Sequence, residues 1–187
     1  MADRKKVLFI DRDGTLVVEP PVDFQLDSLE KLEFLPGVFN FLGRIVRELD
    51  FKLVVVTNQD GLGTDSFPEE TFWPAQLKML KAFELEGIEF EKIHVDKTFE
   101  KDNVDTRKPG TALLTEYFDE DKYDLKNSFV IGDRLTDVQL AENLGSQSIY
   151  IADENEPSAT VTCQDWSQIY KFLAVNSRIG EVTRKTK

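Results

Sequence analysis

Val7-Leu8-Phe9-Ile10 runs straight into Asp11-Arg12-Asp13-Gly14-Thr15. An unbroken apolar run of this kind reads as a strand buried on both faces, as in parallel α/β sheets. Ligands in such sheets bind just beyond the carboxyl ends of the strands. Here the strand delivers two carboxylates, one residue apart, to that edge. Like charges so close repel unless a cation lies between them, and a hard ion such as Mg²⁺ suits oxygen ligands. Gly14 permits close backbone approach, and the Thr15 hydroxyl is suited to hydrogen-bonding the turn. Taken alone, the pentapeptide also suits an ordinary solvated Asp-Gly turn.

Working outward, the pattern repeats. Leu53-Val54-Val55-Val56 ends in Thr57-Asn58-Gln59-Asp60-Gly61, and Ser128-Phe129-Val130-Ile131 ends in Gly132-Asp133. Shorter strands are expected over Phe90–Val95 and Ser148–Ile151. Helical patterns separate them. One is opened by Pro36-Gly37 and carries Val38, Phe41, Leu42, Ile45, Val46 and Leu49. The next starts at Pro68-Glu69-Glu70, carries Phe72, Leu77, Leu80 and Phe83, and stops at Gly87. Others cover about Thr111–Phe118, Val138–Leu144 before Gly145, and Trp166–Leu173. Strands alternating with helices predict an α/β protein with a central parallel sheet and right-handed crossovers.

In that topology Asp11, Asp13, Thr57, Asn58 and Asp133 converge at one edge, although each is far from the others in sequence. Arg107-Lys108-Pro109, just before a helix, can bring a basic side chain to the same edge. A metal, a carboxylate nucleophile, a hydroxyl donor and a fixed ammonium are the parts phosphoryl transfer uses. Taken singly, Thr57 equally suits the end of a strand, and Arg107-Lys108 suits a solvated basic pair. One function accounts for all of them together.

Composition sets the frame. The chain has 187 residues, is 41% hydrophobic with 14 Phe, and has a net charge of −12. It is long enough for one sizeable core. The acidic balance disfavours nucleic acid and anionic membrane as partners, so an anionic substrate needs a local basic group. A single cysteine, Cys163, rules out an internal disulfide framework and a multi-thiolate zinc site. No apolar run approaches bilayer length, and a cytoplasmic protein is expected.

Asp11-Arg12-Asp13-Gly14-Thr15, Thr57-Asn58-Gln59, Arg107-Lys108-Pro109 and Ile131-Gly132-Asp133-Arg134-Leu135-Thr136-Asp137 resemble the four motifs of the haloacid-dehalogenase (HAD) phosphatases, in family order. Longer runs resemble the histidinol-phosphatase domain of bifunctional histidine-biosynthesis enzymes. These are Glu19-Pro20-Pro21 with Asp23-Phe24-Gln25, Thr57 to Thr64, and Asp137 to Asn143. The resemblance implies a Rossmann-like three-layer α/β fold with a central parallel sheet and only a minimal cap. It also implies Mg²⁺-dependent hydrolysis of L-histidinol phosphate, with Asp11 as nucleophile and Asp13 as acid and base. By it, Asp11, the Asp13 carbonyl and Asp133 hold the metal, while Thr57, Asn58 and Lys108 grip the phosphoryl group. Asp137, one helical turn past Asp133, either supports that shell or faces solvent.

Substrate choice falls to the Leu16–Leu35 connection and the Gly61–Trp73 segment. Glu19 is the first candidate partner for an ammonium or imidazole, with Gln25 and Asp23 behind it. Phe24 and Trp73 can stack on imidazole or simply pack, and His94 is expected to be structural. Many relatives carry a Cys/His zinc loop before the Arg-Lys-Pro motif. Here Asp96-Lys97-Thr98 and Val104-Asp105-Thr106 stand in its place, so no zinc is expected and Phe99 or local Asp turns must order the loop. Residues 1–175 are read as the phosphatase domain. Residues 176–187 read as a basic tail resembling the junction to an imidazoleglycerol-phosphate dehydratase domain, which makes the chain an excised domain or a stand-alone phosphatase. Rival readings are a sugar-phosphate (heptose bisphosphate) phosphatase and a non-enzymatic phospho-acceptor module.

Overall fold

The computed structural model describes residues 4–185. Six strands form one parallel sheet: β1 (Val7–Ile10), β2 (Lys52–Asn58), β3 (Lys92–Asp96), β4 (Phe129–Gly132), β5 (Gln147–Ile151) and β6 (Val161–Cys163). Their spatial order is β3-β2-β1-β4-β5-β6. The chain therefore runs outward from β1 in one direction, then returns to β4 and runs outward in the other. The switch point lies between β1 and β4, where the register pairs Ile10 with both Val55 and Ile131. A crevice opens at such a reversal because successive connections depart to opposite faces.

Among the described residues the α-helices are α1 (Val38–Glu48), α2 (Glu69–Leu85), α3 (Leu135–Leu144) and α4 (Trp166–Lys185). Strand periodicity sorts the core into two layers. Leu8 and Ile10 point into a cluster with Leu42, Ile45, Met79, Phe83, Trp166, Ile169 and Leu173 from α1, α2 and α4. Val7 and Phe9 point the other way, toward Leu114, Tyr117, Leu140 and Leu144. Phe9 meets Tyr117 edge-on, with centroids 4.9 Å apart. Each of these fully buried side chains contributes about 1.5–3 kcal/mol by leaving water, so a polar residue anywhere in β1 is excluded. β1 is thus anchored from both faces, and the chain just beyond Ile10 is held rigidly.

Several expectations are corrected. The inward stripe of α2 is Phe72, Ala75, Gln76, Met79 and Phe83, with Leu77 on the solvent side at 59% exposure. The segment expected as a helix near 111–118 is a 3₁₀ helix over Ala112–Phe118, interrupted at Leu114. β6 went unanticipated because Val-Thr-Cys is too short and too polar to show an apolar run. The Thr15 hydroxyl is buried without a hydrogen-bond partner instead of bonding the turn. Backbone N–H groups of Leu16 and Val17 close that turn on the Arg12 carbonyl, and Trp166 adds its indole N–H to the Thr15 carbonyl at 2.8 Å. Outside these corrections, α4 extends as far as Lys185, and Thr186 and Lys187 lie outside the described residues. No helix among the described residues is long and apolar enough to cross a membrane.

Candidate active site

Asp11 follows β1 directly, its N–H donating to the Ile131 carbonyl at 2.9 Å, so the end of β1 is stitched to β4. Asp133 follows β4. A Cβ at position 14 would overlap the Asp133 carboxylate, and Gly14 has φ +73°, so only glycine serves there. Gly132 is required for a related reason, since a side chain there would collide with Asp137. Asp137 sits in the first turn of α3 and accepts the Arg134 N–H through Oδ2 at 3.2 Å, which places its charge at a helix N-terminus.

Lys108 reaches this edge from the connection between β3 and β4. Its buried ammonium lies 2.7 Å from Asp11 Oδ1 and 2.8 Å from Asp137 Oδ1. Asn58 fixes the Lys108 backbone from both ends of its amide: Oδ1 accepts the Lys108 N–H at 3.0 Å, and Nδ2 donates to the Lys108 carbonyl at 3.3 Å. Burial alone would lower the Lys108 pKa, but the two carboxylates outweigh it and the net direction is upward. Lys108 is therefore a fixed positive charge.

Asp11, Asp133 and Asp137 each offer an oxygen, all within 4.8 Å of one another. Among the described residues the ammonium pairs with Asp11 and Asp137 alone, and the two carboxylates Asp133 and Asp137 are both shifted upward. Burial, then Asp11 and Asp137, push Asp133 up to about 7. Burial, opposed by Lys108, pushes Asp137 up. Asp133 Oδ1 is buried with no hydrogen-bond partner. Hard oxygen donors, excess negative charge and an orphaned buried oxygen together fit a small divalent cation. The Asp137 carboxylate belongs to this cluster, which resolves the choice between support and solvent. The Asp13 carboxylate is committed elsewhere, to Arg12 and Gln59.

Thr57 is buried, and its Oγ1 accepts from Gln59 Nε2 at 2.7 Å, leaving its own O–H to donate. Glu19 reaches Arg134, 115 residues away, in a direct ion pair at the mouth of the site. Burial raises the Glu19 pKa, and Asp13 and Asp11 add to that against the pull of Arg134. Gln25 is half-buried and makes its contacts through its backbone, to Asp23 and Lys31. Asp23 is held by Lys31 at 2.6 Å. Phe24 is 60% exposed at φ 58°. Trp73 packs on Phe72 and donates to Glu69 at 3.0 Å. His94 packs against Tyr117, and burial holds its pKa below the usual imidazole value.

The 96–106 loop is ordered by a buried carboxylate. Asp96 Oδ1 accepts from the Thr98 N–H at 2.9 Å and hydroxyl at 2.6 Å, and Oδ2 accepts from the Thr106 hydroxyl at 2.6 Å. Both ends of the loop are thus tied to Asp96, and the second of them, Thr106, stands two positions before Lys108. Arg107 adds a fork to Asp60 and a bond to the Thr98 carbonyl. Phe99 covers Gly61. The sequence pointed to local Asp turns but did not single out Asp96, nor the buried Arg12, Gln59 and Gln76. Asp60, Leu77 and Lys97, each adjacent to one of these residues, are exposed, so local pattern gives no signal for their burial.

A family model described as "HAD-hyrolase-like" matches residues 105–166. The histidine biosynthesis bifunctional protein HisB of Bacteroides fragilis is 54% identical over 192 residues, covering 98% of this chain and 51% of that protein. The protein of the same name from Spirosoma linguale is 48% identical over 200 residues, covering 98% and 52%. The chain spans about half the length of the curated relatives it matches. Among solved structures, a D,D-heptose 1,7-bisphosphate phosphatase from B. bronchiseptica complexed with magnesium and phosphate superimposes with a TM-score of 0.78. It is 24% identical and covers 91% of this chain and 99% of its own, a likeness of fold. Motifs in order, a sheet reversing beside Asp11 and relatives across nearly the whole chain lead to one conclusion: this protein belongs to the HAD superfamily of hydrolases.

Proposed function

We propose that this chain is a Mg²⁺-dependent phosphomonoesterase that hydrolyses L-histidinol phosphate to L-histidinol and phosphate. The observation that carries the reaction class is Asp11, held 2.7 Å from the Lys108 ammonium within the Asp11/Asp133/Asp137 cluster at the switch point. The substrate rests on the 54% identity to HisB.

Asp11 is the nucleophile. Its free carboxylate oxygen attacks phosphorus while the bond to the substrate oxygen breaks, and protonated Asp13 gives its proton to the departing alkoxide. Asp13, now a carboxylate, takes a proton from water as that water attacks the Asp11 phosphoryl group. Phosphate leaves, the Asp11 carboxylate is restored, and Asp13 is protonated again. Lys108, the Thr57 hydroxyl and the backbone at Asn58 face the transferring oxygens and offset their charge. Asp11, Asp133 and the Asp13 carbonyl would hold the metal, with Asp137 beside them. Bound there, Mg²⁺ supplies charge neutralisation for the phosphoryl group as it approaches a carboxylate nucleophile.

Glu19 is proposed to face the ammonium of the substrate, with Gln25 near the imidazole. Glu19 is already paired with Arg134, so a bound cation must share or displace that guanidinium. Residues 1–175 are assigned to the phosphatase and 176–187 to a connection toward a dehydratase domain, in keeping with the half-length match to HisB. A cytoplasmic location, no zinc, and no nucleic-acid or membrane partner complete the reading, and the net charge of −12 disfavours nucleic acid and anionic membrane as partners.

The test is steady-state hydrolysis of histidinol phosphate, a heptose bisphosphate and 4-nitrophenyl phosphate, with Mg²⁺ and with EDTA. Histidinol phosphate is expected to have the highest kcat/KM, and EDTA to remove turnover. A preference for the heptose bisphosphate transfers the assignment to sugar phosphates. A stable phosphorylated Asp11 without turnover makes the domain a phospho-acceptor instead.

A further inference from the structure

Arg12 stands between the two carboxylates of the first motif and is completely buried. A guanidinium is always charged, and taking it out of water costs several kcal/mol unless its donors are matched. Its partners are specific. Nε lies 3.1 and 3.0 Å from the two carboxylate oxygens of Asp13, and Nη2 lies 2.9 Å from Asp13 Oδ2. Nη2 also donates to Gln59 Oε1 at 2.9 Å, and Nη1 donates to Gln76 Oε1 at 3.1 Å. The face of Phe72 lies 5.0 Å from the guanidinium carbon.

Gln59 closes the circuit. Because its Oε1 takes a donor from Arg12, its amide can face only one way. Nε2 then donates to Asp13 Oδ2 at 2.8 Å and to Thr57 Oγ1 at 2.7 Å. Asp13 Oδ2 is therefore held by both Arg12 and Gln59, whereas Oδ1 receives only the Nε–H that it shares with Oδ2. A carboxylate gripped along one edge has one rotamer and one oxygen left for other work.

We infer that Arg12 and Gln59 are positioning residues that clamp the Oδ2 edge of Asp13 and leave Oδ1 to deliver and retrieve the proton. The inference rests on the proposed phosphatase reaction, in which Asp13 is acid and then base. It assigns a task to a buried charge that the reaction scheme itself does not use.

The leaving group tests it. Release of an alkoxide needs the Asp13 proton, while release of 4-nitrophenolate does not; water attack on the Asp11 phosphoryl group needs Asp13 for either substrate. Arg12→Lys, Arg12→Met and Gln59→Met are compared with wild type on histidinol phosphate and 4-nitrophenyl phosphate, in the presence of Mg²⁺. On histidinol phosphate, kcat is expected to fall about 10- to 100-fold with KM within about threefold. On 4-nitrophenyl phosphate, the first turnover is expected to stay within about threefold of wild type and to appear as a burst before a slowed steady state. Equal losses in the first turnover of both substrates mean that Arg12 and Gln59 only cement the fold, and overturn the inference. Unchanged rates on both overturn it as well. If the Arg12 variants do not fold, Gln59→Met decides alone. A wild-type protein that hydrolyses neither substrate removes the phosphatase reading itself, and the positioning role with it.

Discussion

The Lys108 ammonium stands 2.7 Å from Asp11 Oδ1, closing a separation of 97 residues, and both side chains are almost completely shielded from water. The contact is part of a shared arrangement, because Asp137 takes the same ammonium at 2.8 Å. Lys108 thus offsets part of the charge of a three-carboxylate cluster and, in the proposed reaction, faces the phosphoryl group.

Lys108→Met leaves Asp11, Asp133 and Asp137 facing one another without a fixed cation. The metal-free variant is expected to lose about 3 kcal/mol of stability in urea unfolding, since removing one partner of a buried pair strands the other. Added Mg²⁺ should recover part of that loss, while kcat stays down by about 10²- to 10³-fold. Wild-type kcat in this variant would remove Lys108 from the site.

Asp11→Asn keeps the shape of the side chain and withdraws one charge from the repelling cluster, while Lys108 keeps Asp137. The variant is expected to fold with a melting temperature at or above that of the wild type and to show no turnover. Normal turnover assigns the nucleophile elsewhere.

With the metal held at Asp133 as proposed, metal binding and protons compete there. Its folded pKa is about 7 against an ordinary value of 3.8, driven by burial and by Asp11 and Asp137, with Arg134 opposing and Glu19 adding slightly. Between about pH 4 and 7 the native metal-free protein holds a proton that the unfolded chain has lost, so this group's contribution to stability falls as pH rises through that window. A cation at the same oxygens replaces the proton. The gain in melting temperature on adding Mg²⁺ is therefore expected to be larger at about pH 8 than at about pH 5.5. An equal or larger gain at the lower pH contradicts the placement of the metal at Asp133.

Asp96 is the hub of the loop that leads to Lys108, accepting from Thr98 and Thr106 through both oxygens. Asp96→Ala is expected to cost about 1–3 kcal/mol and to speed proteolysis between residues 97 and 106, because the loop's ends lose their shared acceptor. Elemental analysis of the purified protein should find no stoichiometric zinc. One zinc per chain would reject the assignment of this loop to hydrogen bonds.

How much of this was legible in the chain depends on the kind of interaction. Val7–Ile10 declared itself because a strand buried on both faces must be apolar throughout, and the same rule exposed β2 and β4. Val161–Cys163 stayed hidden because an edge strand three residues long has no such requirement. Leu77 was misplaced on α2 because composition names apolar residues, whereas the packing angle of the helix selects which of them turn inward.

The same division runs through the site. Sequence by itself determined the α/β class, the parallel sheet, and the placement of Asp11 and Asp133 at one sheet edge, since strands and their ends follow from local hydrophobic pattern, and it left Lys108 able to reach that edge. Tertiary structure alone decided where each side chain points. It put Asp137 into the acidic cluster, turned the Asp13 carboxylate onto Arg12 and Gln59, paired Glu19 with Arg134, and made Asp96 the anchor of its loop. The reason is physical: a buried charge takes its partner from whichever donor the folded chain brings within about 3 Å, and sequence separation carries no information about that distance.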